Sequence, residues 1–203
     1  IERLAENGPM GIMDLSAELG FHKSTTHRLV TSLQYMGYIR QDEESLKYAL
    51  SLKFLEIGSK ILEQTNMASL IHPSLKKLSE QTGETVHLVR REGTEAVYID
   101  KVESTVSSIR MVSRVGSRIP LYCSGVGKAL LAELPDPEIE DIWNSSEITS
   151  LTPYTVTSLS DLMDRIRGVR EAGYAMDDEE NEEGVRCIAV SIPVIAAGGI
   201  ADG

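Results

Sequence analysis

The segment Leu15-Ser16-Ala17-Glu18-Leu19-Gly20-Phe21-His22-Lys23-Ser24-Thr25-Thr26-His27-Arg28-Leu29-Val30 constrains the fold more than any other part of the chain. Leu15 and Leu19 lie four apart and share one helical face. Gly20 falls where that helix must stop, because glycine tolerates the left-handed backbone that closes a helix. Ser24 and Thr25 bring hydroxyls to the start of a second helix, where free backbone N–H groups need acceptors. Leu29, Val30, Leu33 and Met36 then recur at helical spacing up to Gly37. Two short helices around a glycine turn, the second opening on Lys, Ser, Thr, Thr, His and Arg, fit a helix-turn-helix that reads DNA. An ordinary helical hairpin is the alternative.

The residues after Gly37 favour the DNA-reading motif. Tyr38–Gln41, the polar turn Asp42-Glu43-Glu44-Ser45 and Leu46–Leu50 have the pattern of a β-hairpin, and a hairpin directly behind a reading helix is a wing. Lys23, Ser24, Thr25, His27 and Arg28 are the candidate DNA contacts on the helix, whereas Thr26 precedes Leu29 and Val30 and is expected to pack inward. Arg28 is the best candidate for a guanine contact, because its guanidinium can bond two base acceptors at once; His27 is expected only at a phosphate. Arg40 and Lys47 on the hairpin are placed for phosphates, which orient a protein on the duplex without reading it.

The net charge of −11 argues against nucleic acid only superficially. No acidic residue occurs between Glu18 and Asp42, a stretch that holds Lys23, Arg28 and Arg40. The acid collects late, in Glu171, Asp177, Asp178, Glu179, Glu180, Glu182 and Glu183. Distribution outweighs the total here. At 203 residues and 41% hydrophobic content the chain suits one large or two small domains. No run approaches the length of a membrane span and no signal peptide opens the chain. Cys123 and Cys187 form no metal-spaced pair and fit a reduced, cytoplasmic protein; the four histidines also lack ligand spacing, so no metal or cofactor is expected. The start at Ile1 and the end just after an apolar run suggest trimmed ends.

Leu55, Ile57, Ile61 and Leu62 predict a helix to about Gln64, and a second helix is expected over Ala68–Thr82, with Leu70, Leu75 and Leu78 on its apolar side. Pro73 either lies near its start or bends it. Beyond Gly83 strands are expected at Thr85–Arg90, Glu95–Val102 and Ser108–Val112, the first two joined by a turn at Gly93. A loop through Cys123-Ser124-Gly125-Val126-Gly127 opens a helix, further helices follow at about Asp136–Trp143 and Ser160–Ala172, and strands resume at Tyr174–Met176 and Val185–Ile195. This order predicts an α+β domain with an antiparallel sheet.

The chain resembles the IclR family of bacterial transcriptional regulators over nearly its whole length. Phe21–Leu29 is similar to the family's recognition-helix signature, Tyr98-Ile99-Asp100 to its sheet motif and Cys123–Ala129 to its small-residue loop. Leu151-Thr152-Pro153-Tyr154-Thr155 precedes a helix as in the family, and Gly173–Glu180 with Gly184–Ala189 resembles its closing signature. The resemblance implies a winged helix-turn-helix (1–51), a linker helix (52–66) and a GAF-like effector-binding domain (67–203) whose last strand begins beyond Gly203. It also implies homodimers or tetramers on palindromic operator DNA, and a small carboxylate or sugar acid as effector. Carried over residue by residue, the effector site comprises Gly125 and Val126 through their backbone N–H groups, Asp177, and Cys187.

The residues themselves allow these roles without requiring them. The glycine loop opens a helix whose free N–H groups favour an anion, though a plain turn into a helix reads the same way. Lys128 either adds charge there or points to solvent. Asp177 follows a strand and can turn inward, while most of Asp178–Glu183 is expected to face away, since repeated carboxylates would repel an anion. Cys187 is either a buried thiol or part of the pocket lining. No nucleophile elbow surrounds Cys123 and no acid/base pair is evident, so no catalytic residue and no enzymatic activity are expected. The expected function is an allosteric, sequence-specific DNA-binding regulator; the alternatives are a regulator without a small-molecule ligand, controlled by abundance or a partner, and an enzyme fused to a DNA-binding head.

Overall fold

A computed structural model describes residues 1–65, 67–104 and 113–192 and divides the chain into two compact units, Ile1–Ser69 and Leu70–Gly203. The expected strand at Ser108–Val112 lies outside the described residues, as does the end of the expected final strand from residue 193 onward.

In the first unit, α1 (Glu2–Asn7), α2 (Ile12–Leu19) and α3 (Lys23–Tyr35) precede the antiparallel pair β1 (Ile39–Gln41) and β2 (Tyr48–Leu50). Gly20 caps α2 at φ 65°, a left-handed conformation that turns the chain toward α3. The α3 start differs from expectation: His22 is the cap residue and makes no side-chain cap bond, so Ser24 and Thr25 do not cap the helix. The hydroxyl that engages this turn belongs to Thr26, which is fully buried and donates to the His22 carbonyl. The core gathers Leu4, Met10, Leu15, Val30, Ile39 and Tyr48. Leu19, Leu29 and Met36, expected on the apolar face, are instead exposed within this unit. Helical spacing predicted their periodicity correctly, but their side of the helix has no neighbour among these elements. The helix α4 (Lys53–Thr65) closes the unit in chain order.

The second unit is built around α6 (Gly125–Ala132). Before it come α5 (Met67–Thr82), which carries Pro73 within its length, and the ladder β3 (Val86–Glu92), β4 (Glu95–Val102) and β5 (Arg118–Pro120). Gly93 opens the tight β3–β4 turn at φ 66°, where a side chain would be strained. After α6 come α7 (Asp136–Asn144), α8 (Leu159–Ala172) and the antiparallel pair β6 (Ala175–Asp178) and β7 (Arg186–Ala189). The final strand is therefore shorter than the Val185–Ile195 run suggested, and its register places Asp177 opposite Cys187. Both lie within strands, so Asp177 does not follow the strand as expected. Leu75 alone of the three α5 leucines is buried; Leu70 and Leu78 are exposed.

The core of this unit runs from Ala96, Ile119, Leu121 and Tyr122 to Ile139, Leu162 and Ile166. Tyr122 and Trp143 meet edge to face, and the Tyr122 hydroxyl both donates to and accepts from the Thr149 backbone. A buried phenol so paired loses no hydrogen bond on leaving water. Helix α6 packs against α8 and against strands of both ladders. No described helix is long and apolar enough to cross a membrane.

Candidate functional site

Helix α3 presents Lys23, Ser24, Thr25, His27 and Arg28 to solvent while Thr26 and Val30 face the core. A helix that buries one line and leaves the polar side chains of its first turns in solvent is what a groove-reading element requires, since side chains that pack cannot also reach base edges. Thr31, which carries no distinguishing signal in the sequence, places its hydroxyl 3.5 Å from His27 Nδ1. On the hairpin, Arg40 and Lys47 are exposed and line one open depression together with Asp42 and Ser45. The Asp42 carboxylate accepts from the Ser45 backbone N–H and hydroxyl, and the hydroxyl bond foremost holds its pKa below the usual value. The acid at the tip is thus engaged in closing the turn.

In the second unit, Ser124 caps α6 by accepting from the Gly127 N–H. By helix geometry, the other N–H groups of the first turn have no intrahelical acceptor. A methyl group in place of a Gly125 hydrogen would lie 3.2 Å from Cys187 Sγ and 3.4 Å from the Asp177 backbone nitrogen. Three of the four effector candidates therefore meet at one place, although 62 positions of chain numbering separate Gly125 from Cys187. Val126, the fourth, is half-buried and packs on the apolar clusters beside α6.

Asp177 is buried, and its Oδ1 accepts from the backbone N–H of Glu180 at 2.8 Å and of Asn181 at 3.4 Å. Burial raises its pKa despite those bonds and despite Lys128, so the carboxyl holds a proton more readily than a surface aspartate. Burial also pushes the Cys187 thiol up to about 11 and the Cys123 thiol up to about 12. Both are neutral thiols near neutral pH, which makes them poor nucleophiles. Burial lifts Tyr98 to about 12, helped by Cys187, Asp177 and Glu182, which places that phenol in the same electrostatic neighbourhood.

One alternative is decided here and one expectation corrected. Lys128 does not point to solvent: it is 1% exposed, and its Nζ lies 2.5 Å from Glu180 Oε1. Glu180 correspondingly does not face away with the rest of the acidic run; it is 1% exposed, whereas Asp178, Glu182 and Glu183 are exposed as anticipated. No local signal distinguishes Glu180 from its neighbours, because its partner lies 52 residues earlier.

Two family models match the chain: the IclR helix-turn-helix domain over residues 1–43, and the bacterial transcriptional regulator IclR C-terminal domain over residues 59–197. The chain belongs to the IclR family of bacterial transcriptional regulators. IclR-family members are transcriptional regulators and not enzymes. The chain is 40% identical over 181 residues to the HTH-type transcriptional regulator XynR of Escherichia coli strain K12, covering 89% of this chain and 71% of that protein. It is similar to the crystal structure of IclR from Thermotoga maritima at 34% identity and TM-score 0.71, covering 91% of this chain and 74% of that one. An IclR homologue from Microbacterium hydrocarbonoxydans, crystallised in complex with 4-hydroxybenzoate, shares the fold at 21% identity and TM-score 0.77, covering 92% and 77% of the two chains.

Within the second unit, His87 makes stability depend on pH. Its Nε2 lies 2.7 Å from the Ser113 hydroxyl and its ring meets Tyr98 edge to face. Burial, aided by the Lys101 charge, pushes its pKa down to about 4 from 6.5. A depressed folded-state pKa means the unfolded chain takes the proton first. The stabilisation is therefore complete above pH 6.5 and is lost as pH falls through about 4. We expect it to amount to about 2 kcal/mol after allowing for the ring's partial solvent contact. Thermal unfolding of wild type and His87→Gln between neutral pH and pH 4 checks this: the variant should show the flatter profile.

Proposed function

We propose that this chain is a sequence-specific regulator whose reading head (1–51) is linked through the helix at 52–66 to a domain (67–203) that binds a small carboxylate or sugar acid. Occupancy of that domain modulates operator binding, and the protein works in the cytoplasm as a homodimer or homotetramer. The observation that carries the effector half is the meeting of Gly125, Asp177 and Cys187 at the start of α6. Helix N–H groups attract an anion, the missing Gly125 side chain lets β6 and β7 approach that helix start closely, and Asp177 beside it can accept a hydrogen bond from a hydroxyl or protonated group of the ligand. The 4-hydroxybenzoate complex of the Microbacterium hydrocarbonoxydans homologue is a case of a carboxylate held by a protein of this fold.

The test is a thermal-shift screen of the full chain against a panel of carboxylates and sugar acids, followed by operator titrations with and without the strongest hit. A ligand at 100 times its Kd stabilises by about 2.7 kcal/mol, well within detection, and coupling to DNA of about 1–3 kcal/mol should follow. Operator binding with no hit in the panel would favour a regulator without a small-molecule ligand.

For the reading head, Arg28→Ala is expected to cost about 1–3 kcal/mol on operator DNA and to relax sequence preference. Arg28 is exposed, so the fold is not at stake. Binding to operator and to random duplex, compared side by side, decides it: equal losses on both would reduce Arg28 to a phosphate contact.

A further inference from the structure

The Lys128–Glu180 pair is an odd thing to find in a core. Both side chains are essentially fully buried, and Glu180 Oε1 is shared by Lys128 Nζ at 2.5 Å and by the half-exposed Arg165 at 3.3 Å. Glu180 Oε2 is buried with no hydrogen-bond partner among the described residues. A buried ion pair recovers its desolvation cost poorly, and a well-packed apolar pair in its place is often as stable or more so. With one carboxylate oxygen unpartnered, stability is a weak explanation for this pair.

Its connections give a better one. Lys128 sits on the first turn of α6, immediately after Gly125-Val126-Gly127. The Glu180 backbone N–H is held by Asp177 Oδ1, and its carbonyl accepts from the Thr155 hydroxyl at 2.6 Å. The neighbouring Glu179 carbonyl accepts from the Thr152 hydroxyl at 2.7 Å. One residue thus joins the α6 N-terminus, the β6–β7 turn with Asp177, the Thr152–Thr155 loop and, through Arg165, helix α8. These elements come from distant parts of the chain, and the first two carry the candidate effector groups.

We infer that Lys128 and Glu180 are positioning residues of the effector site, holding the helix N-terminus that receives the carboxylate in register with Asp177. This rests on the effector reading proposed above. The pair touches no effector in this assignment; it sets the distance between the groups that do. Because the two functions differ energetically, they can be separated. Removing both charges together abolishes the register but leaves no buried charge unpaired.

The experiment compares wild type with the double variant Lys128→Met/Glu180→Leu, using the panel carboxylate that gives the largest wild-type thermal shift as probe. The double variant is expected to unfold at or above the wild-type temperature yet to bind that probe about tenfold or more weakly. The single variant Glu180→Leu, which strands the Lys128 charge, is expected to unfold earlier than the double. Wild-type affinity in a stably folded double variant would overturn the inference and leave the pair a packing feature. A double variant that does not fold would overturn it also, since the pair would then serve the fold. If no panel member shifts wild type, the effector reading itself fails and the positioning role falls with it.

Discussion

Replacing Gly127 with alanine is expected to destabilise the second unit by about 3 kcal/mol or more. The added methyl would overlap the carbonyl oxygen, Cα and carbonyl carbon of Leu121. All three are main-chain atoms in a segment whose residues Leu121, Tyr122 and Cys123 are buried, so no flexible side chain can yield. Helix propensity works the other way, favouring alanine by about 1 kcal/mol, and is outweighed. Gly125 is a milder case, because its nearest neighbour is the Cys187 sulfur at 3.2 Å, the end of a side chain that can turn. Trp143 is the chain's single tryptophan and packs against Tyr122. Its fluorescence during urea unfolding therefore reports this unit specifically. A Gly127→Ala midpoint equal to wild type would mean that α6 can lift from Leu121 at little cost.

Glu180→Gln should cost about 3 kcal/mol, a comparable loss by a different route. The substitution keeps the volume and removes the charge, so the Lys128 ammonium is left buried beside a neutral amide. Arg165 adds little to that cost, since its side chain is 54% exposed and can hydrate once released. The same Trp143 unfolding signal measures it. A loss below about 1 kcal/mol would place the Lys128–Glu180 pair among weakly coupled surface ion pairs, against its burial.

These two expectations depend on different kinds of information. The spacing Gly125-Val126-Gly127 was visible as a small-residue loop opening a helix, which helix N-terminal chemistry allows to be an anion site or a plain turn. That Gly127 is small because α6 rests on the Leu121 backbone, while Gly125 is small beside Cys187, required the packing. The reading head was legible in greater detail. Thr26 was expected inward from its place before Leu29 and Val30, and it is fully buried. The same periodicity misjudged Leu19 and Leu29, which are exposed within the unit. Periodicity shows which residues share a face, and burial depends on whether another element covers that face.

The amino-acid sequence by itself determined the helix-turn-helix with its hairpin, the helices of the second unit with the β3–β4 and β6–β7 pairs though not β5, and the family to which the chain belongs. Those features arise from signals acting within a few residues: apolar repeat, glycine at a left-handed position, turn composition. Only the tertiary structure decided the fate of Lys128 and Glu180. Locally, Lys128 read either as a charge at the glycine loop or as a solvent-facing one, and Glu180 as one more carboxylate in an acidic run. A charge tolerates burial only when an opposite one is brought to it, and here the partner arrives from 52 residues away once α6 packs against the β6–β7 pair.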